Sequence, residues 1–317
     1  MKKILPIICL LFIVMSCQKE TEKTPKYTDF KNNLQSYNLY GNVQSFTKKV
    51  ANVSNSKKNK FQEAKVNAVY TFNEAGNYER IEIFNNGGRL ETRSVYRYND
   101  ADLLVEYKTR TFSNNKDNEL RELNAYNEDG LLTHKKVFRN ATVLHEVLLV
   151  NDTEKNTVKS MVVEHQDTIV MTSQTIVNDQ GQITKIIEKS DKNDYENTQS
   201  NTYDTSGNLR THEATMGSIK FKEEYKYKDN IRVERKSYTI PASEEVFLDM
   251  VTKYDEQYNI VEMSFYEKSA LKRTLSYTYK FDDHGNWIEK RTFVNNDPAK
   301  SKTGVPYLIE TREITYW

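Results

Sequence analysis

Apolar and polar residues alternate along most of the chain, as in Leu275-Ser276-Tyr277-Thr278-Tyr279-Lys280-Phe281 and Val261-Glu262-Met263-Ser264-Phe265. A period of two sends successive side chains to opposite faces and predicts strands. The alternating runs are broken at regular intervals by one motif: an aromatic residue, Asn or Asp, two polar residues, Gly, then Asn. Its clearest copies are Tyr70-Thr71-Phe72-Asn73-Glu74-Ala75-Gly76-Asn77, Thr202-Tyr203-Asp204-Thr205-Ser206-Gly207-Asn208-Leu209 and Tyr279-Lys280-Phe281-Asp282-Asp283-His284-Gly285-Asn286-Trp287. Weaker copies follow Tyr98, Tyr126, Val177 and Tyr254, and degenerate ones follow Val150 and Tyr227. With anchors at 72, 98, 126, 150, 177, 203, 227, 254 and 281, the spacing stays within 24–28 residues, which makes this an internal repeat.

Each unit reads as a pair of strands. The Asp or Asn folds its side chain back onto the turn, and Gly-Asn supplies the positive φ that closes it. Gly76, Asn77, Gly130, Gly181, Gly207, Asn208, Gly285 and Asn286 are therefore expected to be structural turn positions. A looser turn such as Asn85-Asn86-Gly87-Gly88 returns the chain. With flanking strands near Val43 to Val50 and Leu308 to Tyr316, the pattern predicts an all-β antiparallel meander of about twenty strands, plus one short helix between Tyr27 and Tyr37. Open sheets beyond about 10 strands curl under their own twist, so the expected shape is an open or spiralling sheet. A membrane-spanning barrel needs a continuously apolar lipid face. Arg80 and Glu82 share one face of their strand, and Lys290 lies opposite to Glu289 and Arg291, which argues against that barrel.

The N-terminus carries a different signal. Met1-Lys2-Lys3, the apolar run Ile4 to Val14 and then Met15-Ser16-Cys17 have the layout of a secretory signal, and the run is shorter than the about 20 residues a spanning helix needs. Cleavage after Ser16 removes Cys9 and leaves Cys17 alone, so no disulfide can form. Residues 18 to 26 are polar and unpatterned, as a tether is. The expected organisation is a signal peptide over 1–16, Cys17 and a polar tether over 17–38, and a repeat domain over 39–317.

Composition narrows the function. With 46 Lys+Arg against 45 Asp+Glu there is no bulk charge to capture nucleic acid. A mean hydropathy of −0.80 excludes a multi-span helical membrane protein. The 21 Tyr and 13 Phe are too many rings for a disordered chain. His134, His145, His165, His212 and His284 are scattered over different units, without the spacing of a zinc helix. Among them His284 stands out, beside Asp282 and Asp283, although acidic residues there cap a turn. There is no phosphate loop, nucleophile elbow or dinucleotide fingerprint, and no carboxylate pair is singled out. No catalytic residue, metal or cofactor is assigned. The recurring rings are read first as cross-strand partners that hold the repeats in register. Tyr225, Tyr227, Tyr277 and Tyr279 are the candidates for stacking against a ligand.

Val14-Met15-Ser16-Cys17 resembles the bacterial lipobox, whose cysteine is acylated, and Cys17-Gln18-Lys19-Glu20 resembles the surface-export signal of Bacteroidetes lipoproteins. The Tyr-x-Tyr/Phe-Asp/Asn-x-x-Gly-Asn copies resemble the RHS/YD-repeat group, in particular its short lipid-anchored members, over about residues 39 to 317. In large relatives such repeats wind into a hollow shell around a toxin domain. This chain has far fewer repeats than such a closed shell needs, and no additional domain is expected after the last copy. The resemblance implies architecture more than activity. Together these readings lead to an expectation: a non-enzymatic outer-membrane lipoprotein, exposed at the surface, that displays repeat β-structure to extracellular carbohydrate or protein. A structural or immunity partner of a secreted RHS-type toxin system is the alternative.

Overall fold

The structure is a computed structural model and describes residues 32–52, 63–113, 116–164, 167–192, 195–295 and 305–317. The signal sequence, Cys17 and most of the tether lie outside these residues, as does His165. A four-residue helix, α1 (Asn33–Ser36), is followed by twenty strands. The first ten are β1 (Val43–Asn52), β2 (Lys65–Phe72), β3 (Tyr78–Phe84), β4 (Leu90–Tyr98), β5 (Leu104–Ser113), β6 (Lys116–Tyr126), β7 (Leu132–Arg139), β8 (Thr142–Asp152), β9 (Thr157–Glu164) and β10 (Asp167–Val177). The rest are β11 (Ile183–Ser190), β12 (Glu196–Tyr203), β13 (Leu209–Met216), β14 (Ile219–Lys228), β15 (Ile231–Ile240), β16 (Phe247–Tyr254), β17 (Ile260–Glu267), β18 (Ala270–Phe281), β19 (Trp287–Asn295) and β20 (Leu308–Tyr316).

Every strand pairs antiparallel with its sequence neighbours, and β1 also pairs with β20 from Val43 opposite Tyr316 to Asn52 opposite Leu308. The meander is therefore a closed barrel of 20 strands, not the open or spiralling sheet that the pattern led us to expect. The physical reason is that an open meander leaves two rows of unpaired backbone groups, and joining β1 to β20 satisfies both. Closure does not require a lipid-facing wall. The charges that argued against a membrane barrel are still on both faces.

Alternation sorts the side chains into two walls. On the outer wall, charged residues meet across strands: Arg93–Glu82 at 2.7 Å, Arg121–Glu106 at 2.6 Å, Lys253–Glu262 at 2.8 Å and Lys280–Glu289 at 3.1 Å. This lacing gives way to apolar side chains on β8 and β9, where Leu148, Val150 and Met161 are exposed. The inner wall carries the rings. Its best-packed part surrounds the closing seam, where Phe46 and Phe72 are fully buried with Val43, Leu34 and Leu39, and Tyr37, Tyr70 and Tyr78 pack against them.

The repeat has a structural signature at one rim. At eight of the nine anchors the strand register shifts by one residue beside the anchor residue: Phe72, Tyr98, Tyr126, Val177, Tyr203, Tyr227, Tyr254 and Phe281. Each of these bulges increases local twist, which a closing sheet needs. The turns that follow all lie at this rim.

Candidate functional site

The turns are built by the mechanism their sequence implies. In the 282–286 turn the Asp282 carboxylate accepts the N–H groups of His284 at 3.0 Å and Asn286 at 2.9 Å. Asp204 does the same for Ser206 at 2.9 Å and Asn208 at 2.8 Å, and Asn73 takes the Asn77 N–H at 2.8 Å. Gly76, Gly130, Gly181, Gly207 and Gly285 have φ between +73° and +84°. Asn77, Asn208 and Asn286 are not in the left-handed region; their contribution is the N–H that the Asp or Asn binds. Asp102 and Tyr258 adopt positive φ where Gly is missing from weaker copies.

Asn286 does more than close its own turn. Its Oδ1 accepts the Tyr40 N–H at 2.7 Å, and its Nδ2 donates to the Tyr40 carbonyl and the Tyr316 hydroxyl, both at 2.8 Å. Asn32 Nδ2 donates to the Ala75 carbonyl at 2.8 Å, and Asn38 donates to the Gln257 carbonyl. The segment from Asn32 to Asn42 is thus pinned across three turns of one rim, on the side of the seam. His284 stacks on the Tyr316 ring at 4.0 Å, a packing role at the end of the last strand.

Of the four tyrosines proposed for stacking, three have their hydroxyls engaged by the protein itself. Tyr279 donates to the Ile260 carbonyl at 2.7 Å, Tyr277 reaches Met263 Sδ at 3.3 Å and Tyr225 donates to Glu223. Burial pushes the Tyr227 hydroxyl up to about 12. Tyr225 and Tyr227 lie on the inner wall of β14, and Tyr277 and Tyr279 on that of β18, so β15 to β17 separate the two pairs.

Pairing of cations with these rings is the property that the sequence did not disclose. Arg232 lies 5.6 Å from the Tyr225 ring centre and 4.5 Å from that of Tyr254. Arg273 lies 4.6 Å from Phe265, and Lys290 lies 5.7 Å from Tyr277 and 5.5 Å from Trp287. Arg312 is held between Phe46 at 4.8 Å and Trp287 at 3.6 Å. Such contacts are attractive because the ring face is negative. From β14 round to β1 the inner wall is therefore a row of rings and cations. Alternation in the sequence could place Arg312 and Trp287 on a face, but not next to each other, since β19 and β20 are joined by a long connection.

The densest part of that wall is the seam. Glu310 is 9% exposed and pairs with Lys48 at 3.4 Å and with Lys290. Arg312 is 8% exposed, and burial pulls its guanidinium down to about 10, against the opposing pull of Glu310. Among the described residues no group of three His, Cys, Asp or Glu side chains is placed to hold a metal ion. His134 is engaged with Glu146 at 2.6 Å, and His212 with Asn201 at 2.8 Å.

The arrangement defines a closed antiparallel β-barrel of repeated hairpins with a ring- and cation-lined inner wall. No protein-family model and no curated protein matches the chain. Among solved structures, the crystal structure of a porin-like protein from Bacteroides uniformis ATCC 8492 at 2.32 Å resolution is similar, with 14% identity and a TM-score of 0.30 over 86% of this chain and 98% of that one. At that score the likeness fixes neither fold nor function.

Proposed function

We propose that the protein is a non-enzymatic lipoprotein of the outer membrane, exposed at the cell surface, that binds extracellular carbohydrate or protein. The observation that carries this reading is the contrast between the walls: ion pairs lace the outer one, and rings and cations line the inner one. A closed barrel is compatible with an outer-membrane location, since closure is what allows β-structure to cross lipid at all. The ion-paired outer wall favours attachment through the acyl chains of Cys17 instead of insertion. The pinned segment from Asn32 to Asn42 leads back to that cysteine, so the tether would hold the barrel by its turn-bearing rim. The hairpin period supports the kinship with RHS/YD repeats, and with it the second reading, a structural or immunity partner of a secreted toxin system.

Fractionation of the Cys17→Ser variant tests the anchor: the variant should leave the membrane fraction, and its retention as an integral protein would refute attachment by lipid alone. Saturable binding of the mature chain to a member of a panel of glycans, cell-wall fragments and envelope proteins tests the binding role. A panel without a single saturable ligand would count against it.

A further inference from the structure

We propose that Lys48, Lys290 and Arg312 form a site on the inner wall for the carboxylate or sulfate group of an acidic oligosaccharide, whose sugar ring packs against Tyr277. The inference rests on the reading of the protein as a binding protein, and names the class of ligand. Three observations converge on it.

The first is charge. Lys48 stands directly opposite Arg312 in the pairing of β1 with β20, and Lys290 directly opposite Glu310 in that of β19 with β20. Like charges facing each other across strands are destabilising. A single carboxylate, Glu310, serves both lysines and the guanidinium. At two other places on the inner wall a cation meets a carboxylate of its own, Lys135 with Glu122 at 3.0 Å and Arg235 with Glu223 at 3.4 Å. The seam therefore holds an excess of positive charge in a place where charge is costly to leave uncompensated.

The second is donor capacity. Arg312 is more than nine-tenths buried, and its Nε and Nη1 have no hydrogen-bond partner among the described residues. Buried N–H groups of this kind are normally satisfied. Lys48 and Lys290 retain accessible side chains, 26% and 21% exposed, so the approach to the cluster runs through their two ammonium groups.

The third is the surrounding apolar surface. Tyr277, which is only half-buried, lies 5.7 Å from Lys290, and Trp287, 9% exposed and covered by Arg312 at 3.6 Å, backs the cluster from behind. A ring with a polar rim beside cations suits a pyranose that carries an acidic group: its C–H face packs on the ring and the anion pairs with the ammonium. A bare inorganic anion would use the cations and leave the Tyr277 ring without a role.

Calorimetric titration of the mature chain with a uronic-acid oligosaccharide, a sulfated one and a neutral glucan of equal length tests the site, with inorganic sulfate and phosphate as separate arms. The acidic sugars should bind at least about tenfold more tightly than the neutral one, and added salt should weaken them. The double variant Lys48→Gln, Lys290→Gln should lose about tenfold in affinity. Glu310→Gln, which removes the competing carboxylate, should gain affinity, a change that damage to the fold cannot mimic. Equal binding of acidic and neutral sugars, no binding of either acidic sugar, or unchanged affinity in both variants would overturn the proposal. Binding of inorganic sulfate or phosphate as tight as that of the sugars would overturn the saccharide assignment. If another ligand from the panel binds with the same affinity to both variants, the binding role stands and the anion site falls.

Discussion

The hydroxyl of Tyr203, at the end of one hairpin, donates to the carbonyl of Ile183 in the neighbouring strand at 2.7 Å. The contact recurs between Tyr126 and Leu104 at 2.8 Å and between Tyr279 and Ile260 at 2.7 Å. In each case the acceptor opens a strand, next to a bulge that disturbs the regular ladder. Tyrosine at these positions therefore ties one repeat to the one before it.

Replacing Tyr203 with Phe keeps the ring and leaves the Ile183 carbonyl without this donor. The cost should be about 1 kcal/mol, read as a shift in the denaturant midpoint at constant slope. Amide exchange should quicken around residues 183 and 203 before the rest of the barrel responds. Unchanged stability would show that the hydroxyl is dispensable to the repeat.

Glycines in equivalent turns should differ in tolerance. A Cβ on Gly130, at φ +76°, would meet Leu103 Cδ1 at an ordinary 3.6 Å, so Gly130→Ala should cost only the roughly 1–2 kcal/mol of the left-handed conformation. A Cβ on Gly76, at φ +81°, would lie 2.6 Å from Asn32 Nδ2 and 3.0 Å from Leu34 Cδ1. Gly76→Ala should therefore cost more and release the segment from Asn32 to Asn42 to added protease. Equal costs and equal protease resistance would show that this segment does not depend on the 73–77 turn.

Acid should loosen the rim that Asp282 organises. Burial alone would raise its carboxyl, but hydrogen bonds from the Tyr316 hydroxyl at 2.5 Å and from the Asn286 and His284 N–H groups outweigh that and hold it below its ordinary 3.8. A lowered folded-state value stabilises above the unfolded value and is lost as pH falls through the folded one. The advantage of the native chain over Asp282→Asn should thus be present at pH 5 and shrink below 3.8. At the other extreme, burial and the bond to Asp282 push Tyr316 up to about 12, so stability should decline as pH rises from 10.0 towards that value. Thermal melts of both proteins across these windows check the two signs; a difference independent of pH would mean that the carboxylate form is not what the turn requires.

Arg312→Met should unfold the barrel no more easily than the native chain, within about 1 kcal/mol, because it removes the desolvation cost of a buried cation while Glu310 keeps Lys48 and Lys290 as partners. A loss of several kcal/mol would mean that the stacking on Trp287 and Phe46 dominates instead.

Much of this architecture can be read from the chain because it is local. The aromatic anchors, the Asp-x-x-Gly-Asn turns and the alternation between them set strand ends, hairpin partners and the side on which each ring lies. Closure is not local: Phe46 pairs with Ile314 in the register of β1 and β20, and neither residue carries a mark that distinguishes an open edge from a joined one. The same holds for the seam cluster. Lys48, Lys290 and Arg312 are ordinary members of alternating strands, and they become a site only once the first and last strands meet. Asn286 is the intermediate case, a turn residue by sequence whose amide proves to hold Tyr40 as well.

The join between residues 43–52 and 308–316 also has a kinetic consequence. Hairpins close short loops and can form one after another, whereas this contact must await β20, the last of the twenty strands, and bears the loop-closure entropy of nearly the whole domain. Until then β1 and the growing end each expose a bare edge, the state most open to pairing with another chain. The polypeptide would thus be at its most vulnerable just before β1 and β20 meet, and the rate of ring closure would set how long that window lasts.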